Sequence, residues 1–256
     1  MSEAGATPIP RRGRGFVIVA LLVATVALGY ALVELSTREA GRDVVRIKGV
    51  TDAQQAFGGV RQDGDRIGSP DAPVSIQVFA DLQCATCRED FLSVIPPLVE
   101  NYARTGEAML LMRHYSVARN ELELGFFGAE AAAAQDYGWQ YTYLFFRNQD
   151  EAERFGIGDR FLETLAGSIG ELDVPRWREY LDRQSGEDGA ITRRLEGYAE
   201  LGVELGVRAD MATLVSGPGG TRMLQEGPSL AQVERAIAAV GRPDRAAAPG
   251  SADGGG

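Results

Sequence analysis

Cysteine and histidine are scarce in this chain, two of the first and one of the second among 256 residues. Two cysteines cannot staple a small disulfide-dense scaffold, and one histidine is too few for most all-protein zinc or di-iron sites. Basic residues are in deficit as well, 26 against 36 acidic, which leaves a formal charge of -10. Such a surface repels phosphate backbones and offers no basic stripe to neutralise them, so nucleic acid is not an expected partner. No internal repeat is visible, and a solenoid is not indicated. What is present is 45% hydrophobic and 24% charged residues, enough for one fair-sized core and a second small unit.

The two ends differ from the middle. From Phe16 to Val33 the chain runs 18 residues without a charge, about 27 Å as a helix, close to a bilayer core. Arg11, Arg12 and Arg14 precede the run, and Glu34, Arg38 and Glu39 follow it. The positive-inside rule then leaves residues 1–15 in the cytoplasm, makes 16–33 a single transmembrane anchor and exports the rest. A cleaved signal peptide is the competing reading: Ala27 and Gly29 suit a signal peptidase, and the arginine pair suggests a twin-arginine signal. Either way the bulk of the protein works outside the cytoplasm. Residues 34–66 read as a polar, glycine-dotted tether with one β-like stretch at Val44 to Ile47. Residues 242–256 have nothing to bury and read as a disordered tail.

The folded domain is expected over 67–241. GSPDAP supplies turn residues, and VSIQVFA follows, with Val74, Ile76, Val78 and Ala80 alternating against Ser75 and Gln77, a strand pattern. After a short turn come Cys84-Ala85-Thr86-Cys87, and then Phe91, Leu92, Val94, Ile95, Leu98, Val99 and Tyr102 at helical spacing. Pro96 and Pro97 are expected to bend that helix and Gly106 to close it. Ala108 to Met112, wholly apolar, suits a buried strand beside the first. The result is a βαβ unit with a dithiol at the helix N-terminus.

A cysteine on a first helical turn faces unpaired backbone N–H groups and the positive end of the dipole, which favours its thiolate. Cys84 is therefore the candidate nucleophile. Cys87, three positions later and turned inward, is placed to resolve a mixed disulfide. The same spacing also serves half of a zinc site or an inert link. Zinc lacks ligands here, because His114 is the sole histidine and no second cysteine pair exists. An inert link across so short a loop saves little unfolded-state entropy.

From about 118 to 205 the pattern is helical, with about five segments and a start at Asp173 with Pro175; Gly138 and Gly170 read as stops. The aromatic series Trp139, Tyr141, Tyr143, Phe145 and Phe146 reads as core. His114 reads as a surface or packing residue and not as a general base. Ala212 to Ser216, a Gly217–Gly220 turn and Thr221 to Gln225 form a hairpin. Ser229 with Gln232 is a capping box for a closing helix through Val240, with Gly241 as its cap.

In this order the chain resembles the membrane-anchored DsbA-like thioredoxin-fold oxidoreductases. The likeness runs from about Val50 to Val240 and rests on GSPDAPVSIQVFADLQCATC and LGVRADMATLVSGPGG. It implies an α/β, thioredoxin-like fold with a large helical insertion, preceded by one N-terminal transmembrane helix. It also implies that Cys84 attacks, Cys87 resolves, exported proteins with cysteines are the clients, and a quinone-linked membrane thiol oxidase restores the disulfide. No cofactor and no metal are implied.

Two departures stand out. The family usually carries proline within the dithiol, often followed by an aromatic residue or histidine, where this chain has Ala85 and Thr86. Neither adds positive charge, and Glu89 and Asp90 follow closely. The family also brings a Thr-Pro pair with a cis bond to its substrate loop, and an ungapped match places Asp210-Met211 there, followed by Ala212. In the family that loop pairs with the client backbone and shields the sulfurs. A cis bond without proline costs about 2.5 to 4 kcal/mol, so the loop is expected to turn trans or to be strained. Asp210 would raise the Cys84 pKa if it faced the sulfur.

Three readings remain open: an exported oxidoreductase, a redox-impaired module that binds clients because Met211 replaces the proline, and a dimer sharing a metal across two Cys84-Cys87 pairs. The remaining acidic residues fall on polar helix faces and read as solvated surface.

Overall fold

A computed structural model describes residues 21–31, 34, 44–117 and 124–241. The 1–15 segment, 16–20 and 32–33 of the apolar run, 35–43 of the tether, 118–123 at the start of the insert, and the 242–256 tail lie outside the described residues. Residues 21–31 are helical. Among the described residues no helix is long and apolar enough to cross a membrane.

From Val45 onward the chain forms a compact unit distinct from what precedes it. This corrects the tether over its second part: residues 45–66 belong to the folded unit. Val44 to Ile47 has no regular structure. Helix α1 (Val50–Phe57) then buries Ala53 and Phe57, and two short strands, β1 (Gln62–Asp63) and β2 (Arg66–Ile67), form a hairpin.

The sequence-predicted βαβ unit is present as β3 (Val74–Ala80), α2 (Ala85–Leu98) and β4 (Ala108–His114), with β3 and β4 parallel. The α2 helix continues through Pro96 and Pro97, then widens into a π-helical turn, Val99–Ala103. Proline lacks an N–H, so the ladder loses bonds there and regains them with longer spacing: Arg104 N–H donates to Val99 C=O at 2.9 Å. Strand β5 (Met211–Gly217) runs antiparallel to β3 and turns into β6 (Gly220–Leu224), and α9 (Leu230–Val240) closes the chain. The sheet order is β1-β2-β4-β3-β5-β6. The capping box of Ser229 and Gln232 and the Gly241 cap are both present.

Alternation in β3 divides the core. Val74, Ile76, Val78 and Ala80 share one apolar cluster with Phe91, Val94, Ile95 and Leu98 of α2 and with Val233 and Ile237 of α9. Phe79 faces the other way, into a smaller cluster with Tyr115, Val207, Ala212 and Leu214.

Between β4 and β5 the described insert holds six helices, one more than the periodicity suggested. They are α3 (Leu124–Ala133), α4 (Gly138–Arg147), α5 (Gln149–Phe155), α6 (Asp159–Gly167), α7 (Val174–Gln184) and α8 (Ala190–Glu204). Gly138 begins α4 and does not stop a helix, because Asp136, at φ 65, makes the reversal just before it. Asp173 caps α7 as expected, its Oδ1 accepting from Arg176 N–H at 3.0 Å. The aromatic series is core: Phe146 stacks on Phe91 at 4.6 Å, and Trp139 and Tyr143 meet Phe57 of α1.

His114 is buried, so it is a packing residue and not a surface one. Its Nδ1 lies 2.8 Å from Glu130 Oε1 and its Nε2 3.1 Å from Thr142 Oγ1. A carboxylate only accepts, so Nδ1 carries a proton toward Glu130. Glu130, also buried, takes a second bond from Arg194 at 3.1 Å. A neighbouring cluster joins Arg113 and Tyr198 on the Asp65 carboxylate and ties the β1–β2 hairpin to α8.

Candidate functional site

The dithiol sits where β3 hands over to α2. Cys84 is the N-cap of α2 and is bonded to Cys87 in a disulfide, with Cα atoms 5.2 Å apart. Cys84 is half-buried and Cys87 buried, while Ala85 and Thr86 between them are exposed. One sulfur is thus approachable and the other is screened, as a nucleophile and a resolving partner require.

Two neutral donors face Cys84 Sγ. Cys87 N–H lies 3.1 Å away, and Thr86 Oγ1 lies 3.2 Å away. A disulfide sulfur carries no proton, so the Thr86 hydroxyl is the donor. The same donors are in place for a thiolate once the disulfide opens, together with the free N–H groups of the first turn. Sequence reading assigned Thr86 no positive charge, correctly, and missed its hydroxyl; a Ser or Thr two residues after a capping cysteine is the signal.

The loop before Cys84 is organised by Asp81. Its Oδ1 accepts from Gln83 N–H at 2.8 Å, its carbonyl from Cys84 N–H at 3.2 Å, and its own N–H donates to Asp210 C=O at 2.9 Å. The last bond brings the predicted substrate loop to the dithiol loop: Met211 lies opposite Ala80 and Ala212 opposite Phe79. Among the described residues no peptide bond is cis, so the start of β5 is trans, the unstrained alternative. Met211 and Ala212 are buried, and the Met211 carbonyl is taken by Gly227 N–H at 2.9 Å. The Asp210 carboxylate accepts from Val117 N–H at 3.4 Å and, after burial itself, is the second cause that raises the Tyr115 hydroxyl pKa; it is directed at the exit of β4.

Of the two acids behind the dithiol, Asp90 packs against Gly227, where a Cβ would collide with its carboxylate and φ is +61. Burial, and then the charge of Glu89, hold the Asp90 carboxyl above its ordinary value. Beside Ala85 an open cleft of about 700 Å³ runs between α2 and the insert, lined by Arg88, Glu89, Leu92, Arg147 and Asp150 among others. A hydrogen bond from Lys48 at 2.5 Å holds the Asp150 carboxyl below its usual range. Among the described residues no cluster of three or more His, Cys, Asp or Glu could hold a metal.

Comparison with known proteins agrees with this geometry. A family model described as Thioredoxin matches residues 61–185. The probable disulfide bond formation protein D of Bacillus cereus is 27% identical over 118 residues, 45% of this chain and 55% of that protein. That of Bacillus anthracis is 25% identical over 118 residues, so the chain spans about half the length of the curated relatives it matches. Among solved structures, oxidised BdbD from Bacillus subtilis superimposes with a TM-score of 0.57 at 17% identity, over 72% of this chain and 96% of that one. DsbA from Chlamydia trachomatis gives 0.56 at 21% identity, over 68% and 89%. With a βαβ unit that carries its dithiol at the helix start and six described helices before the returning hairpin, the chain has a thioredoxin-like fold and is similar to DsbA-like disulfide bond formation proteins.

Proposed function

We propose that this protein is an exported, membrane-anchored thiol-disulfide oxidoreductase that exchanges disulfides with cysteine-bearing proteins outside the cytoplasm. The observation that carries the reading is the approachable Cys84 at the N-cap of α2, bonded to a screened Cys87. A client thiolate attacks Cys84 Sγ; the Cys84–Cys87 bond breaks, a client–Cys84 disulfide forms, and Cys87 leaves as thiolate. A second client thiolate then attacks the client sulfur of that bond and releases Cys84. The client loses two electrons as its disulfide forms, and the dithiol gains them. Run backwards, the same steps reduce a client, with Cys87 attacking Cys84 of the mixed disulfide. A quinone-linked membrane thiol oxidase is the proposed oxidant that resets the couple. Anchoring and export are supported by the uncharged run 16–33 with three arginines before it.

After mild reduction, Cys84 is expected to alkylate first, and Cys84→Ser to abolish both peptide oxidation and insulin reduction. Turnover at the wild-type rate in Cys84→Ser would overturn the reading. Protease added outside intact cells is expected to cleave the domain while the chain sediments with membranes; a chain found in the cytosolic fraction refutes export.

One observation favours a client-binding module without turnover. Met211 stands where the resembling family carries its cis-proline, and the peptide bond before it is trans. That reading predicts unchanged client capture when both cysteines are serine.

A further inference from the structure

One side chain of the helical insert reaches the loop that presents Cys84. Gln149, the first residue of α5, is buried, and its Nε2 lies 2.7 Å from Leu82 C=O and 3.1 Å from Cys84 C=O. Both partners only accept, so the end facing them is the NH2 group and each proton serves one carbonyl. The two carbonyls flank Gln83, whose N–H is already held by Asp81. The residue before this clamp is itself held by hydrogen bonds. Asn148, fully buried, takes Lys48 N–H at 2.8 Å and donates to Lys48 C=O at 3.0 Å and Leu144 C=O at 2.8 Å.

We propose that Gln149 is a positioning residue that sets the redox equilibrium of the Cys84–Cys87 couple by holding the reduced loop in its oxidised shape; this rests on the reading of those two cysteines as the exchanging couple. In the disulfide form a covalent bond keeps Cys84 at the N-cap. In the dithiol form only non-covalent ties do so, and Gln149 supplies two of them. They hold Cys84 in its extended N-cap backbone, φ -76 and ψ 115, which turns Sγ onto the Cys87 N–H. Without them the loop relaxes and the thiolate loses donors, so the reduced state weakens while the oxidised state is little changed.

The test equilibrates the full chain with glutathione buffers and reads the oxidised fraction by thiol trapping, for wild type and for Gln149→Met, which keeps the length and removes the donors. The expected result is about a tenfold shift toward the disulfide, which for a two-electron couple is about 30 mV more reducing. The pH midpoint of Cys84 alkylation is expected to rise in parallel. A merely structural role would lower the melting temperature and leave both readouts in place. If Gln149→Met loses the far-UV spectrum of the oxidised protein, Gln149→Asn, too short to span the gap, takes its place with the same expected shift. Equilibrium constants within twofold of wild type, or failure of both variants to fold, overturn the inference. A wild-type chain that does not equilibrate with glutathione at all refutes instead the function on which it rests.

Discussion

The dithiol corner and the helical insert are fastened by different chemistry. The side-chain ties to Cys84 itself are neutral, the Thr86 hydroxyl and the Gln149 amide beside the Cys87 N–H, and the one carboxylate of the loop, Asp81, holds the Gln83 N–H instead. Where the insert meets the sheet the ties centre on carboxylates, with Glu130 between His114 and Arg194, and Asp65 between Arg113 and Tyr198. The difference teaches how a site that gains negative charge on reduction can keep its shape. Neutral donors stabilise a thiolate without a counterion that must be rearranged when the disulfide reforms. The Glu130 and Asp65 carboxylates involve no residue of the dithiol loop, and they hold helices to the sheet.

The most severe way to break this comparison is Glu130→Leu, which removes the carboxylate shared by His114 and Arg194. An uncompensated buried pair typically costs about 3–5 kcal/mol, read from the urea midpoint of the oxidised protein. The glutathione equilibrium constant is expected to stay at the wild-type value, and a shift would show that the two regions are not separable. Asp81→Ala acts at the other corner and loses the bond to Gln83 N–H, worth about 1–2 kcal/mol. Here the dithiol form is expected to lose more stability than the disulfide form, and equal losses in the two urea titrations would contradict the role given to the loop.

The smallest effect belongs to Asp90→Asn. Burial, and then Glu89, raise the folded carboxyl above its ordinary 3.8, so the folded protein binds this proton more tightly than the unfolded chain. The ionised group weakens the fold at neutral pH. That penalty fades as pH falls through the folded value and is gone below 3.8. Asp90→Asn is expected to gain stability at pH 7, by less than about 1 kcal/mol for so exposed a group, and nothing at pH 3. A gain that persists at pH 3 would place its origin in packing.

Much of the dithiol corner was legible in the sequence because its signals are local. Alternation marks β3, Cys84 falls at a helix start, and the Ser229 capping box and Asp173 cap carry their own spacing. The trans turn at Met211 was one of two expected outcomes. Strands β1 and β2 were not legible, since two residues carry no period, and they hid inside the segment taken as a tether. Nor was the Glu130 partner of His114, which a fold brings together from another element. Gln149 gave no signal at all: an isolated amide looks the same on a surface and in a clamp, and only tertiary placement separates the two.

The β1–β2 hairpin has a consequence for how the domain can be cut. Arg66 and Ile67 pair with Leu111 and Leu110, so upstream chain covers the outer rim of β4. A chain shortened to begin at Gly68 would bare a row of unpaired backbone groups on a strand whose sequence is AMLLMRH, a ready template for a neighbouring molecule. Shortened proteins are therefore expected to self-associate through that rim, whereas those beginning upstream of Val45 stay dispersed at the same concentration.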